Sequence, residues 1–309
     1  MGEQNSAYGS TASGLLTVTF THLPARVGGL GMRAALILVV VLSLAACAGS
    51  SPPQAGSSPR TTPLARLSPQ SVKYTPGRTR YRGVSHVTQQ QDIQGNSQIL
   101  NFLLEYFVST GLMSVAPGLQ LQFTIDSMHA EGGLMSPAEV SRAKGLQLSG
   151  ILAPDGQVTQ LSGDSALTGQ LQSVATTIKQ FFPRIPANGA EPGAQWSDTT
   201  EIKTSGATQL AIRSINERRG AEWTQYAGHR SLRIDVASHY TLSGTGQQMG
   251  QEFTLKGEGL KSATQYLSAD GRYLGATSKD SSSFVVALSA MGMTIPSLQI
   301  RFDTVSVVP

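Results

Sequence analysis

Apolar and polar residues alternate strictly along much of this 309-residue chain. Between Leu119 and Asp126 every second residue is apolar, and polar residues occupy the positions between them. Because successive side chains of a β-strand point to opposite faces, this period of two predicts a strand with one buried face. The same period recurs at 146–152, 209–215, 232–236, 253–255, 284–288 and 298–302.

Turn sequences separate several of these segments. Asp270-Gly271 lies between the apolar residues of 265–267 and 273–276, and Asp155-Gly156 follows the strand predicted at 146–152. Asp-Gly pairs are typical of tight hairpins because Gly readily adopts positive φ. We therefore predict a mainly β fold, a curved antiparallel sheet or half-open barrel of about ten to eleven strands packed on one helix.

The helix is predicted where the period changes. Between Asp164 and Pro183 the apolar residues recur at helical spacing, with polar residues off that line. They are Leu167, Leu171, Val174, Ile178 and Phe181. Asp is a favoured N-cap, and Pro ends a helix. We expect one amphipathic helix of about 18 residues whose apolar stripe packs against the concave face of the sheet, or covers it.

The stretch Ile99–Val108 fits two interpretations. A strand would place Phe102, Leu104 and Tyr106 on one face, whereas a helix would align Phe102 with Tyr106 and Phe107. The aromatic content and the strand predicted from Leu119 favour a strand. Since this strand is apolar on both sides, we expect it to be covered on both sides.

A short apolar run near the N-terminus predicts export. It extends from Ala34 to Ala46, follows Arg33 and is, at about 13 residues, shorter than the ~20 that a spanning helix needs. It ends in a motif that contains the single cysteine of the chain, Leu44-Ala45-Ala46-Cys47. This motif resembles a bacterial lipobox. The resemblance implies that Cys47 receives diacylglycerol and that the preceding peptide is removed.

These features divide the chain into four parts. Residues 1–31 exceed a normal secretory n-region, so they are interpreted as an upstream leader and Met32 as the true start. Residues 32–46 form the lipoprotein signal peptide. Residues 47–71 form a tether rich in Pro and Ser, and residues 72–309 a single β-rich domain.

The residue after the lipobox bears on location. Lipoproteins that stay at the inner membrane often carry Asp there, and this chain carries Ala48. The resemblance implies an exported protein, lipid-anchored to the bacterial membrane through Cys47. In a cell with two membranes it implies the outer membrane, facing the periplasm.

Catalytic and metal-binding patterns are weak in this sequence. No two of the five histidines are two to four residues apart, and the carboxylates do not form an argued acid-base pair. The net charge is only +4, with Lys and Arg scattered singly, which argues against a nucleic-acid surface. We therefore expect a non-catalytic protein without metal or cofactor and without a nucleic-acid partner.

A second resemblance begins after the predicted helix. Pro183-Arg184-Ile185-Pro186 is followed by Gly193-Ala194-Gln195-Trp196, and Gly193 allows the backbone to turn before a strand near Trp196. In this layout residues 78–308 resemble uncharacterised envelope lipoproteins, which are similar to the periplasmic lipoprotein carriers. Those carriers are curved antiparallel half-barrels with a helix inside the concavity. The resemblance implies a cavity for acyl chains or another apolar ligand.

The expected function is therefore that of a membrane-anchored envelope lipoprotein that binds or carries a lipid or other apolar ligand. Two strands, the helix and the Trp would line its cavity, although Trp196 fits a core position equally well. The expected lining residues are Phe102, Leu104, Tyr106, Leu121, Phe123, Leu171, Val174, Ile178 and Trp196. The alternative is a structural or interaction scaffold of the envelope, with a filled core and an exposed apolar patch.

Overall fold

A computed structural model describes residues 71–116, 118–133, 135–163, 178–203, 208–248 and 251–309. Eleven strands form one antiparallel sheet in the order β5-β4-β3-β2-β1-β11-β10-β9-β8-β7-β6. Strands that follow one another in sequence pair, except β5 and β6, and β1 pairs with β11 to join the two halves. The sheet is open, with β5 and β6 at its edges. The predicted mainly β antiparallel fold is confirmed.

Most of the strands are long. The first half contains β1 (Gly77–Ile93), β2 (Asn96–Val115), β3 (Gly118–Glu131), β4 (Gln147–Leu152) and β5 (Val158–Gly163). The second half contains β6 (Gln195–Lys203), β7 (Thr208–Tyr226), β8 (His229–Gln248), β9 (Gln251–Ser268), β10 (Tyr273–Leu288) and β11 (Met293–Val308). The turn predicted between β9 and β10 is present, and Gly271 adopts a φ of 86° there.

A short helix that the sequence analysis did not predict, α1 (Pro137–Ala143), lies between β3 and β4. Ser136 is its N-cap, and its hydroxyl accepts from the backbone N–H of Glu139. The Glu139 carboxylate in turn accepts from the backbone N–H of Ser136 at 2.9 Å. This reciprocal capping box, together with Pro137 in the first turn, explains why seven residues form a helix here.

The ambiguous stretch Ile99–Val108 lies within β2, so the strand interpretation is confirmed. Phe102 and Val108 are buried on the inner face. The prediction that the outer face is also covered is wrong, because Ile99 is 65% exposed. Part of the outer face is shielded differently: the Arg80 guanidinium lies 5.3 Å from the centre of the Phe107 ring. A long Arg side chain thus shields an aromatic surface while its charge stays in water.

Residues from both edges of the sheet pack against one hydrophobic cluster, which shows that the sheet curves. Leu161 of β5 and Trp196 of β6 both contact this cluster, although nine strands separate β5 from β6 in the sheet. At its centre the Phe181 ring lies 5.1 Å from Tyr81 and 5.3 Å from Phe123, edge to face. We call this group the aromatic cluster; its rings are Tyr81, Phe123, Phe181, Phe182 and Tyr273. The face that it occupies is the concave face.

Several predictions fall on residues that the structure does not describe. Residues 1–70, which hold the lipobox, Cys47 and nearly all of the tether, lie outside the described residues, as do 164–177, which hold most of the predicted helix. Ile178 and Phe181, from the end of that segment, are described and are buried. Within the described ranges, no helix is long and apolar enough to cross a membrane.

Candidate functional site

Polar residues form a continuous row across the concave face. The strand register places Lys261 of β9 directly opposite both Ser238 of β8 and Asp280 of β10. Continued in both directions, the row crosses six strands and contains only polar residues. They are Asp198, Asn216, Ser238, Lys261, Asp280 and Arg301.

The polar residues in the rows on either side extend this feature into a band. Together with the central row they form the polar belt. The belt consists of Ser85, Gln89, Gln91, Asp198, Thr200, Asn216, Arg218, Ser238, Lys261, Ser278, Asp280, Ser282, Ser297, Gln299, Arg301 and Asp303. Most of these side chains are buried.

The polar belt separates two apolar regions along the strands. On β8, Val236 belongs to the first apolar cluster, which is the larger group of buried residues that contains the aromatic cluster. Ser238 lies in the polar belt, and Leu242 belongs to a second apolar cluster. The second apolar cluster consists of Ile202, Ile212, Tyr240, Leu242, Phe253, Leu255, Phe284, Val286, Leu288 and Ile295. All three zones share one face because side chains at i, i+2 and i+4 point the same way.

A buried ion pair lies near the β1–β11 end of the polar belt. Arg301 Nε is 2.6 Å from Asp303 Oδ1 and 3.1 Å from Ser85 Oγ. Burial alone would lower the pKa of the Arg301 guanidinium, but the charges of Asp303 and Asp280 raise it above its usual value. The Arg301 guanidinium therefore stays positively charged inside the concave face.

Asp280 lies beside this pair in a different electrostatic environment. The Tyr240 hydroxyl donates to Asp280 Oδ1 at 2.7 Å. Burial raises the pKa of the Asp280 carboxyl and outweighs the opposing effects of Tyr240 and of the Lys261 and Arg301 charges. Burial and the neighbouring carboxylate also raise the pKa of Tyr240, so its phenol remains a donor.

A second charged group occupies the β6–β7 end of the belt. Arg218 Nε contacts Asp198 Oδ1 at 2.6 Å, and Asn216 Nδ2 donates to Asp198 Oδ2 at 3.0 Å. Burial would raise the pKa of Asp198, but the Arg218 charge and the hydrogen bonds hold it below its usual value. Asp198 and Asp280 share one row, but the pKa of Asp198 is lowered and that of Asp280 is raised.

A cavity of about 210 Å³ borders the polar belt. Its polar lining includes Arg218, Ser238 and Lys261, and its apolar lining includes Phe182 and Val236. Most sites for small molecules have volumes of about 300–1,000 Å³. The cavity therefore accommodates part of a larger molecule, in contact with both polar and apolar side chains.

Several buried side chains of β1 and β11 carry polar atoms that have no hydrogen-bond partner in the described part of the chain. Both amide atoms of Gln89 are in this state, as are Ser297 Oγ, Gln299 Oε1 and Asp303 Oδ2. Buried polar groups are normally paired with protein or with ordered water, so these atoms are open to pairing with water or with a ligand.

The residues predicted to line a cavity are only partly brought together. Leu121, Phe123 and Ile178 belong to the aromatic cluster's core, and Tyr106 and Trp196 pack against it. Phe102 is buried farther along β2, next to the half-buried Leu104, whereas Leu171 and Val174 lie outside the described residues. None of these residues is among the described lining of the 210 Å³ cavity. Their role in binding stays a prediction.

Trp196 is held in place by the loop that precedes it. Its indole N–H donates to the backbone carbonyl of Arg184 at 3.1 Å, and Gly193 turns the chain before β6 with a φ of 85°. Arg184 in turn contacts Asp155 Oδ2 at 2.6 Å. These contacts join the loop to both edges of the sheet, because Asp155 precedes β5.

The polar belt was missed in the sequence analysis, although its signal is present. On β10 the residues Ser278, Asp280 and Ser282 share the parity of the buried Phe284, Val286 and Leu288. Extending the period of two from 284–288 towards the N-terminus therefore assigns three polar residues to the buried face. Polar residues in a buried register are the observation that points to a site.

Comparisons with known proteins add little to this description. No family model and no curated protein matches the chain. A solved structure, that of DynF from the dynemicin biosynthesis pathway of Micromonospora chersina, matches with 10% identity over 83% of this chain and 92% of that chain. Its TM-score of 0.24 is too low to support any conclusion.

The fold and the site define a class: a mainly β protein whose open, curved antiparallel sheet carries a buried polar belt on its concave face. Across the described ranges, no group of three or more His, Cys, Asp or Glu side chains is arranged to hold a metal ion.

Proposed function

We propose that the protein is a non-catalytic carrier that binds an amphipathic molecule, such as a lipid, on the concave face of the sheet. The layering of that face supports the proposal: the polar belt lies between two apolar clusters. Burying polar side chains is unfavourable unless they are paired, so a sheet that only needed a core would be expected to carry apolar residues here. An amphipathic ligand matches both kinds of surface.

The cavity at the boundary between belt and clusters supports the same proposal. Its volume of about 210 Å³ suits one part of a lipid rather than a whole lipid. Its lining includes Phe182 and Val236, and also Ile202 of the second apolar cluster. In the proposed complex, acyl chains extend from the cavity along these apolar side chains.

The proposed anchor would hold this carrier close to a membrane. Cys47 is expected to carry the lipid, and the tether of residues 47–71 contains prolines at 52, 53, 59, 63 and 69. Proline-rich linkers extend by about 3.1 Å per residue, so this tether would reach roughly 70 Å from the bilayer. In the proposed setting the exported domain exchanges ligand with a membrane without being embedded in it.

Blocking the cavity tests the proposal. The full chain carrying Cys47→Ser, which removes the expected lipid anchor, is titrated with a pyrene-labelled acyl glycerol. Ser238→Phe places a ring in the cavity, and Ser262→Phe is the matched control because Ser262 is an exposed β9 residue on the opposite face. We expect at least about tenfold weaker binding for Ser238→Phe and unchanged binding for Ser262→Phe. No saturable binding, or equal binding by the two variants, would contradict the proposal.

A second candidate, an envelope scaffold, is favoured by the opposite face of the sheet. Leu298, Ile300 and Phe302 follow one another on the outer face of β11, and all three are exposed. Leu260 of β9 is also exposed on this face. An exposed apolar strip is typical of a protein contact. Replacing Ile300 and Phe302 by Ser would weaken the binding of an envelope partner and leave acyl binding unchanged if both surfaces are used.

A further inference from the structure

We infer that the part of the polar belt on β1 and β11 is a subsite for an uncharged headgroup rich in hydroxyl groups. The subsite consists of Gln89, Ser297, Gln299 and Asp303. This inference rests on the proposed function, that the concave face binds an amphipathic ligand, and it specifies the chemistry of the polar end.

The subsite is deeply buried. Gln89 is 0% exposed, and Ser297, Gln299 and Asp303 are 3%, 4% and 5% exposed. Five of their side-chain atoms have no hydrogen-bond partner within the described ranges: Gln89 Oε1 and Nε2, Ser297 Oγ, Gln299 Oε1 and Asp303 Oδ2. Groups of this kind destabilise a fold unless a ligand or ordered water pairs with them.

The four residues lie on the same side of two paired strands, with Arg301 between Gln299 and Asp303. Gln89 lies directly opposite Gln299 on the neighbouring strand, at a spacing of about 4.8 Å. Ser297 precedes Gln299 by two residues and Asp303 follows it by four, so all three face the same side of β11. At ~3.4 Å per residue, the subsite extends roughly 20 Å along the strand. The surface thus fits an extended polar group better than a single ion.

The hydrogen-bonding capacity of these atoms selects the headgroup. Gln89 Oε1, Gln299 Oε1 and Asp303 Oδ2 only accept, Gln89 Nε2 only donates, and Ser297 Oγ does either. A ligand must therefore mainly donate. Sugar and polyol hydroxyls donate and accept, whereas the phosphate diester of a phospholipid only accepts.

The charges of the polar belt also favour an uncharged headgroup over an anionic one. Its basic residues are Arg218, Lys261 and Arg301, and its acidic residues are Asp198, Asp280 and Asp303. Three basic and three acidic groups leave no net charge, and the Arg301 guanidinium, nearest the subsite, already contacts Asp303. An anionic headgroup would therefore gain no net attraction from the belt and would meet an unpaired carboxylate oxygen.

The test offers two lipids that differ only in the headgroup. Immobilised full chain carrying Cys47→Ser is incubated with phosphatidylcholine vesicles that contain equal amounts of monoglucosyl diacylglycerol and phosphatidylglycerol with identical acyl chains. Retained lipids are quantified by mass spectrometry, and a parallel sample receives excess free glucose. We expect the glucosyl lipid to be enriched at least about tenfold over phosphatidylglycerol, as one to two hydrogen bonds provide.

Substitutions in the subsite test whether its residues cause the enrichment of the glucosyl lipid. Gln89→Leu and Gln299→Leu should each lower it about tenfold without reducing the amount of phosphatidylglycerol retained. Gln90→Leu is the matched control, because Gln90 lies on the opposite face of the same strand and donates to Ser97 Oγ at 3.0 Å. Circular dichroism and thermal unfolding verify that each variant is folded.

The outcomes separate this inference from the proposed function. Equal retention of both lipids would overturn the headgroup subsite and leave the carrier standing. For Gln89→Leu, an unchanged ratio of glucosyl lipid to phosphatidylglycerol together with a higher melting temperature would overturn the subsite. It would show that only water pairs with the buried polar atoms. Retention of glucose without any lipid would support the subsite and overturn the lipid carrier, and retention of neither would overturn both.

Discussion

The ring of Tyr106 lies over Gly83, in the space that a side chain at residue 83 would occupy. The two residues are direct partners on β2 and β1, and a Cβ atom added to Gly83 would lie 2.1 Å from Tyr106 Cζ. Tyr240 covers Gly259 in the same way, with a distance of 2.2 Å to its Cζ atom. Glycine thus gives each ring room to lie flat on the concave face, next to the polar belt.

Substitution of Gly83 tests this packing. Gly83→Ala forces the Tyr106 ring off the strand, so we expect a loss of about 1–3 kcal/mol in the free energy of unfolding by urea. Gly111→Ala is the control, because the nearest atoms to a Cβ there, in Gln122, are 3.8 Å away. We expect that control to change stability by about 0.5 kcal/mol or less. Equal losses in the two variants would contradict the packing described.

The aromatic cluster should account for a large part of stability. Phe181→Ala removes ring contacts with Tyr81, Phe123 and Tyr273, and we expect a loss of about 3–5 kcal/mol by chemical denaturation. Phe302→Ala removes a ring on the outer face, which should lower stability by about 1 kcal/mol or less. A small loss for Phe181→Ala would show that this ring does not anchor the fold.

The buried ion pair gives a non-additive prediction. Arg301→Met leaves the Asp303 carboxylate buried without its partner, so we expect a loss of about 3–5 kcal/mol. Adding Asp303→Leu removes the stranded charge and should restore most of that stability. Lys203→Met, in an exposed pair with Glu201, should change stability by about 1 kcal/mol or less. Additive losses in the double variant would contradict a coupled buried pair.

The raised pKa of Asp280 predicts a pH dependence. Its ionised form is less favourable in the folded protein than in the unfolded chain, mainly because of burial. The associated stability is present below the ordinary Asp pKa of about 3.9 and is lost as pH rises through the folded-state pKa. We therefore expect Asp280→Asn to match the wild type at acidic pH and to exceed its urea midpoint near neutral pH.

Asp198 should show the opposite dependence. Arg218 and Asn216 hold its pKa below the usual value, so its stabilising effect is present above about pH 3.9 and is lost as pH falls through the folded-state pKa. We expect Asp198→Asn to be less stable than the wild type near neutral pH and to approach it in acid. The same direction of change for both Asn variants would contradict the electrostatics described for the belt.

The sequence predicts the sheet well because a period of two has one simple physical solution. Alternation at Leu119–Ile125 and in six further segments fixes which residues face inward, and the observed strands include these segments except for Leu146, which directly precedes β4. The strand at Ile99–Val108 followed from aromatic content. Helix α1 was missed because its seven residues are held by a capping box rather than by an apolar stripe.

The candidate site was harder to predict because it depends on pairs of residues far apart in sequence. Arg301 meets Ser85 across 216 positions, and Gln89 meets Gln299 only because β1 pairs with β11. Read alone, Ser281–Ser283 and Asp280 resemble a polar turn, whereas the structure places them in the middle of β10. Apolar residues such as Phe123 were assigned to a cavity because the alternation cannot distinguish a packed core from a binding surface.

The most direct test of the carrier is the native mass of the full chain purified from a bacterial host, measured before and after lipid extraction. We expect added mass from a bound amphipathic molecule, beyond any covalent lipid on Cys47. We also expect Ser238→Phe to remove this mass and Ser262→Phe to retain it. A mass equal to the protein and its covalent modifications alone, unchanged after incubation with membrane lipids, would show that the protein is not a carrier.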